Sequence, residues 1–269
     1  MPEPVLEAQG LRKEYGELVA VRDVDLRVRA GGSLAIVGES GSGKTTVAKM
    51  IVGLTRPSAG TIRVCGRDRS ERARSARERR LRGAEAQIVF QDPYSSLDPR
   101  QSAERMLDEV LRLHGKGNAE ERRARIRELA DLVGLDERQR RARPAALSGG
   151  QRQRVAIARA LGAEPRLVIL DEAVAALDVS IQAQILNLLA DIRAETGVSY
   201  LLISHDLAVV RQITDEVIVM RRGSVVERGP TATVLDDPQE GYTKRLRESV
   251  PRPGWKPIRR LLPQNGAVV

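Results

Sequence analysis

Apolar and polar positions alternate along residues 5–37 in the manner of β-strands, through VLEAQGL, LVAVRDVDLRV and SLAIVGE. Gly31 and Gly32 mark a turn before the apolar run Leu34–Val37. A helix is predicted from Thr45 to about Leu54, broken by Pro57 and Gly60, and TIRVCGR reads as one more short strand holding Cys65 as a small apolar residue. The charge-dense run Arg67–Arg82 reads as a solvated helix with i,i+4 charge pairs, and QIVF, residues 87–90, as a buried strand. Residues 101–142 repeat apolar side chains at helical spacing: Met106, Leu107, Val110 and Leu111, then Ile126, Leu129, Leu132 and Val133, with Gly115 and Gly117 between. Another helix opens at Ser148, a good N-cap. RLVILD and VSYLLIS are near-continuous apolar runs, as in strands buried on both faces of a mainly parallel sheet. The helix IQAQILNLLADIRAE, closed by Gly197, and the helix DLAVVRQI follow them. VIVMRRGSVVERG is a hairpin centred on Arg222 and Gly223. Beyond it, six prolines at 230, 238, 251, 253, 257 and 263 predict one short helix and then extended chain.

Residues Gly38–Thr46, GESGSGKTT, join an apolar strand to a helix, which is the setting of a phosphate-binding loop. Gly38, Gly41 and Gly43 let backbone N–H groups converge on phosphate oxygens without Cβ collisions, and Glu39, Ser40, Ser42 and Thr46 complete the loop. The helix aims its positive end at the same oxygens. Lys44 is placed to bridge the β- and γ-phosphates of a nucleotide, and the Thr45 hydroxyl to ligate Mg²⁺. Asp171 ends the RLVIL strand, where open α/β sheets carry their ligand groups, and can hold the Mg²⁺ shell opposite Thr45. Glu172 follows as a candidate general base for the attacking water; the alternative is an acidic pair at a helix N-terminus. The fold expected is α/β, a P-loop NTPase with a mainly parallel core sheet, an N-terminal antiparallel β-lobe and an inserted helical subdomain. The ATPase domain should span 1–250, its helical insert about 92–160, and a Pro-rich tail 230–269. No internal repeat is visible, so one ATPase module is expected.

Length and composition narrow this picture. A chain of 269 residues suits one large domain or one with an insertion, and with 41% hydrophobic but 2% aromatic residues its core must be Val, Leu, Ile and Ala. Against 36 Asp+Glu stand 45 Lys+Arg, nearly all of them arginine, for a net charge of +9. That charge suits either an anionic partner or solvated helix faces; so few aromatic platforms argue against single-stranded nucleic acid, and no nucleic acid is expected. A single cysteine builds no intrachain disulfide, zinc or iron–sulfur site. No secretory h-region and no run of ~20 apolar residues is present, so the chain is expected to be cytosolic by itself and to reach a membrane through a partner.

Residues Leu147–Arg154 read LSGGQRQR, and they follow the phosphate loop and precede LDE and LLISHDL in a fixed order. This set resembles the ATP-binding subunits of ABC transporters, over roughly Leu6 to Tyr242. The resemblance implies that Tyr15 stacks on adenine and that Gln91 contacts Mg²⁺ and the water. It implies too that His205 bonds the γ-phosphate and keeps Glu172 in register. Ser148, Gly149, Gly150 and Gln151 would cap ATP held by a second ATPase subunit, identical or homologous, near the interface loop at Asp178. VFQDPYSSLDPR, LDEAVAALDVSIQAQILNLL and the ending LDDPQEGYTKRLRESVPRP look like the peptide/nickel importer branch. That branch implies two transmembrane permease subunits, an extracytoplasmic solute-binding protein acting indirectly, and a peripheral position on the cytoplasmic side of the inner membrane. Two departures stand out: Glu240 and Gly241 where His-Pro is usual before Tyr-Thr, and Ala173 where Pro often follows the glutamate. Two other readings stay open, an ATPase of a carbon–phosphorus lyase complex and a soluble non-transport ABC ATPase. The transported substrate is not written in this chain.

Overall fold

Residues 3–92 and 96–248 are described by the computed structural model, and the alternation at the N-terminus builds the first of its sheets. Strand β1 (Pro4–Tyr15) pairs antiparallel with β2 (Leu18–Arg29) on one side and with β4 (Ala59–Val64) on the other. The two-residue β5 (Arg67–Asp68) closes the sheet order β2-β1-β4-β5. Cys65 is not inside a strand as expected. It has φ 51° in the turn between β4 and β5, is half-buried, and leads the chain's reversal with Gly66.

The second sheet runs β10-β9-β3-β8-β7-β6. Its members are β3 (Ser33–Val37), β6 (Ala86–Val89), β7 (Leu167–Asp171), β8 (Ser199–Ser204), β9 (Glu216–Arg221) and β10 (Ser224–Pro230). All neighbouring pairs are parallel except β9–β10, the hairpin at Arg222 and Gly223. Every residue of β3, β7 and β8 is buried, which is why those segments read as unbroken apolar runs. Successive residues serve opposite faces: Leu34 and Ile36 pack with β1, β2 and helix α1 (Lys44–Ile51), whereas Ala35 and Val37 face the other helices.

Between β6 and β7 lie α3 (Ala103–Leu113), α4 (Ala119–Leu132), α5 (Glu137–Arg141) and α6 (Gly149–Leu161). Their starts are capped by Ser102, Asn118, Asp136 and Ser148, the last three in full capping boxes, so the orphan N–H groups of each first turn have partners. The stripes Met106, Leu107, Leu111, Ile126 and Leu129 join one continuous core with Val168, Leu170 and Leu202 of the sheet. Helices α7 (Val179–Thr196) and α8 (Leu207–Ile213) cover the same face.

Three further segments depart from expectation. Helix α1 stops at Ile51, because Gly53 turns left-handed at φ 79° and leaves Leu54 63% exposed. In the charge run, only α2 (Ala76–Glu85), capped by Ser75, is helical, and it carries the Glu78–Arg82 pair. Arg69 there is buried, not solvated, with its guanidinium 2.5 Å from Glu85 Oε2. After β10 the chain forms two short helices, α9 (Thr231–Asp236) and α10 (Gly241–Glu248), where one was expected. The proline-rich stretch from 249 onward lies outside the described residues.

Candidate active site

In chain order the strands that carry the candidate residues are β3, β6, β7 and β8, but in space they run β3-β8-β7-β6. Being parallel, they bring their C-terminal ends to one rim: the loop 38–46 after β3, His205 after β8, Asp171 and Glu172 at β7, and Gln91 just past β6. Ser40, Thr45, Lys49, Phe90, Gln91, Asp92, Asp171, Glu172 and His205 line a cavity of about 740 Å³ at that rim. This is the position where open parallel sheets hold ligands.

The loop is held from behind. Gly38 has φ 151°, and a Cβ there would lie 2.2 Å from the Met220 carbonyl oxygen. A Cβ on Gly43, at φ 103°, would lie 2.5 Å from the Ala20 carbonyl oxygen, so neither position tolerates a side chain. Gly43 also caps α1 without any side-chain bond, and the first turn contains no acidic residue, which leaves a positive helix end open toward the cavity. Lys44 is nearly buried, with Nζ donating to the Gly38 carbonyl at 2.7 Å, the Glu39 carbonyl at 2.8 Å and Ser42 Oγ at 3.4 Å. Burial holds its ammonium below the usual lysine pKa, against the opposing pull of Glu172, Asp171 and Glu39.

Asp171 is buried, and Thr45 Oγ1 donates to its Oδ1 at 3.3 Å. Burial raises its carboxyl pKa above the ordinary range; the Thr45 bond works the other way, and Glu172 adds to the rise. Glu172 sits at φ 50°, a left-handed conformation that costs a non-glycine residue on the order of 1–3 kcal/mol. Its N–H donates to the Ile203 carbonyl at 2.9 Å, which ties it to β8, and His205 Nδ1 stands 3.4 Å from its Oε2.

The remaining candidates lie elsewhere. Tyr15 ends β1 and is 49% exposed, with Lys13 Nζ 4.9 Å above its ring; it does not line the cavity. Ser148 caps α6 through Gln151, whose N–H donates to Ser148 Oγ at 3.3 Å and whose Oε1 accepts from the Ser148 N–H at 2.8 Å. A Cβ on Gly150 would lie 2.6 Å from Ile181 Cγ2, and one on Gly149 3.6 Å from Leu177 Cδ2. The LSGGQ segment therefore packs beside the exposed Asp178, and none of its residues lines the cavity. Sequence reading assigned no role to Lys49, Phe90 or Asp92 in the cavity wall, nor to Met220 and Tyr242, which touch the phosphate loop.

Residues 21–175 match the ABC transporter family profile. The chain belongs to the ABC transporter family. It is similar to a peptide import ATP-binding protein of Brucella abortus, 47% identical over 90% of this chain and 73% of that protein. It is also similar to the dipeptide transport ATP-binding protein DppF of Haemophilus influenzae, 41% identical over 93% of this chain and 79% of that one. Among solved structures it resembles the dimeric ATP-binding cassette MJ0796 in a post-hydrolysis state bound to ADP and Pi. That likeness has a TM-score of 0.75 and 30% identity over 84% of this chain and 98% of that one. This ABC ATPase has, among its described residues, no helix long and apolar enough to cross a membrane.

Proposed function

We propose that this chain is the ATP-hydrolysing subunit of a peptide importer. It would work from the cytoplasmic side of the inner membrane, against two permease subunits that an extracytoplasmic solute-binding protein supplies. The observation that carries this reading is a split: Thr45, Gln91, Asp171, Glu172 and His205 line one cavity, while Ser148–Gln151 present a second helix N-terminus away from it. A site so divided is completed by a second ATPase subunit, identical or homologous, in head-to-tail contact. The exposed Asp178 and Val179, the latter 83% exposed, belong to that interface. In this reading the helical insert, about 92–160, carries the signature to the partner, and residues 230–269 are a Pro-rich tail of the peptide-importer type that follows on the 1–250 ATPase domain.

ATP enters with its phosphates over the N-terminus of α1, where the loop amides and the helix end compensate their charge. Lys44 leaves the Gly38 and Glu39 carbonyls for the β- and γ-phosphates. Thr45, Asp171 and Gln91 are hard oxygen donors on one cavity wall, a set that suits Mg²⁺ completed by waters and phosphates. When bound, Mg²⁺ neutralises phosphate charge. Glu172 takes a proton from water as the water oxygen bonds to the γ-phosphorus, and the bond to the β–γ bridging oxygen breaks with its electron pair leaving on ADP. His205 holds Glu172 and the water in line, Tyr15 stacks on adenine, and Ser148, Gly149 and Gly150 of the partner cap the γ-phosphate.

The test is co-purification of the tagged full chain from its native membranes, followed by ATPase assays with peptide and solute-binding protein. Recovery of two permeases and peptide-stimulated turnover is the expected result. Recovery of phosphonate-cleaving lyase subunits without permeases would overturn the transport reading and leave the ATPase reading standing.

A further inference from the structure

Helix α10 is keyed to the phosphate loop by one side chain. The Glu39 N–H donates to the Tyr242 hydroxyl oxygen at 3.0 Å, across 203 residues of sequence. That N–H belongs to the Gly38–Glu39 peptide, and the carbonyl of the same peptide accepts the Lys44 ammonium at 2.7 Å. A peptide group is planar, so the two bonds grip opposite edges of one rigid plate. The plate needs a grip, because Gly38 at φ 151° has a freedom of rotation that no other residue would give it.

Tyr242 is itself held firmly. Its ring is buried and lies 5.0 Å from the Arg221 guanidinium at the end of β9. The turn leading into α10 is fixed by Glu227 of β10, whose carboxylate accepts from the Gln239 N–H at 2.8 Å and the Glu240 N–H at 3.3 Å. When Lys44 turns from its carbonyls to a bound phosphate, the lysine side of the grip is released. The Tyr242 bond still holds the plate, at the moment when loop shape matters most.

We propose that Tyr242 is a positioning residue of the nucleotide site: its hydroxyl holds the Gly38–Glu39 peptide so that the phosphate loop is preorganised for nucleotide. This rests on the reading of residues 38–46 as the phosphate loop. The residue acts through that loop and makes no contact with the reacting atoms. It also gives helix α10 a direct hold on nucleotide affinity.

Calorimetric titration of the full chain with ADP tests this without turnover or dimer closure. Tyr242→Phe keeps the ring and its packing but removes the acceptor, and should weaken ADP binding about two- to tenfold, the worth of one hydrogen bond. Binding stoichiometry should be unchanged, since misfolding lowers the competent fraction and leaves the affinity of the remainder alone. Thr243→Val is the control on the same helix: Thr243 is buried and its Oγ1 has no partner among the described residues, so ADP affinity should match the wild type. Wild-type affinity in Tyr242→Phe, with Lys44→Ala measured alongside and binding lost, overturns the positioning role alone. Undiminished binding in Lys44→Ala overturns the phosphate-loop reading beneath it, and this inference with it.

Discussion

Glu172 and His205 meet across adjacent parallel strands, with His205 Nδ1 3.4 Å from Glu172 Oε2. The contact depends on two backbone features: Glu172 adopts φ 50°, and its N–H is tied to the Ile203 carbonyl two residues before His205. A strained residue held by its neighbour strand has a fixed direction, which a proton acceptor needs. Glu172→Gln keeps the shape of the side chain and removes its basicity. Turnover should fall about 10²–10⁴-fold while ATP still binds. Size-exclusion chromatography with ATP should show a dimer that the wild type does not accumulate; hydrolysis at the wild-type rate would rule Glu172 out as the base.

Lys44→Ala removes the donor that the Gly38 and Glu39 carbonyls now share. The ammonium compensates phosphate charge in the ground state and the transition state alike, so affinity and turnover should both be lost. Equilibrium binding of a fluorescent ATP analogue measures this. Unchanged affinity would mean that residues 38–46 are not the phosphate site.

What could be read from the chain alone follows from how far apart the interacting groups are. The phosphate loop, the acids after RLVIL and the capped start at Ser148 are local patterns, each set by a strand or helix end and its next few residues. A parallel sheet carries the loop and the two acids to one rim, whereas the start at Ser148 lies away from it. By contrast, Gly38 is obligatory because of the Met220 carbonyl, and the loop is gripped by Tyr242; both contacts depend on where β9 and α10 finally pack. Arg69 shows the same limit. Its charge run looked solvated, yet Glu85 at the end of α2 folds back to pair with it in a buried position. Cys65 looked like a strand residue because apolar neighbours precede it, and only the β4–β5 pairing makes it a turn.

Asp171→Asn separates the cost of a buried carboxylate from its use. Burial raises the Asp171 pKa in the folded chain, so the folded state holds this proton more tightly than the unfolded state. The carboxylate is then a stability deficit that is full above the folded pKa and vanishes below the unfolded one. Asparagine keeps an acceptor for Thr45 and removes the charge beside Glu172. The nucleotide-free variant should melt a few degrees higher than wild type at pH 7–8, and the difference should shrink as pH falls through the carboxylate range. ATPase activity should drop all the same. A lower melting temperature at neutral pH would show that the carboxylate stabilises the apo fold.

Ser148→Arg tests the divided site. Ser148 caps α6, so a residue that cannot cap costs about 0.5–2 kcal/mol there. Ser148→Gly is the control, since glycine at an N-cap loses only a few tenths. Arginine would in addition fill the γ-phosphate pocket of the opposite subunit while leaving its own phosphate loop untouched. Monomeric ATP binding should therefore persist, and ATP-driven dimerisation and hydrolysis should fail far beyond the glycine control. If homodimers form, mixing Ser148→Arg with Lys44→Ala leaves one composite site with an intact loop and an intact signature, and the other with both lesions. Some ATP-driven closure should then return. A Ser148→Arg monomer that remains folded, as judged against the glycine variant, yet no longer binds ATP would place the signature and the phosphate loop in one site within one chain. The two-subunit reading would then lose its main support.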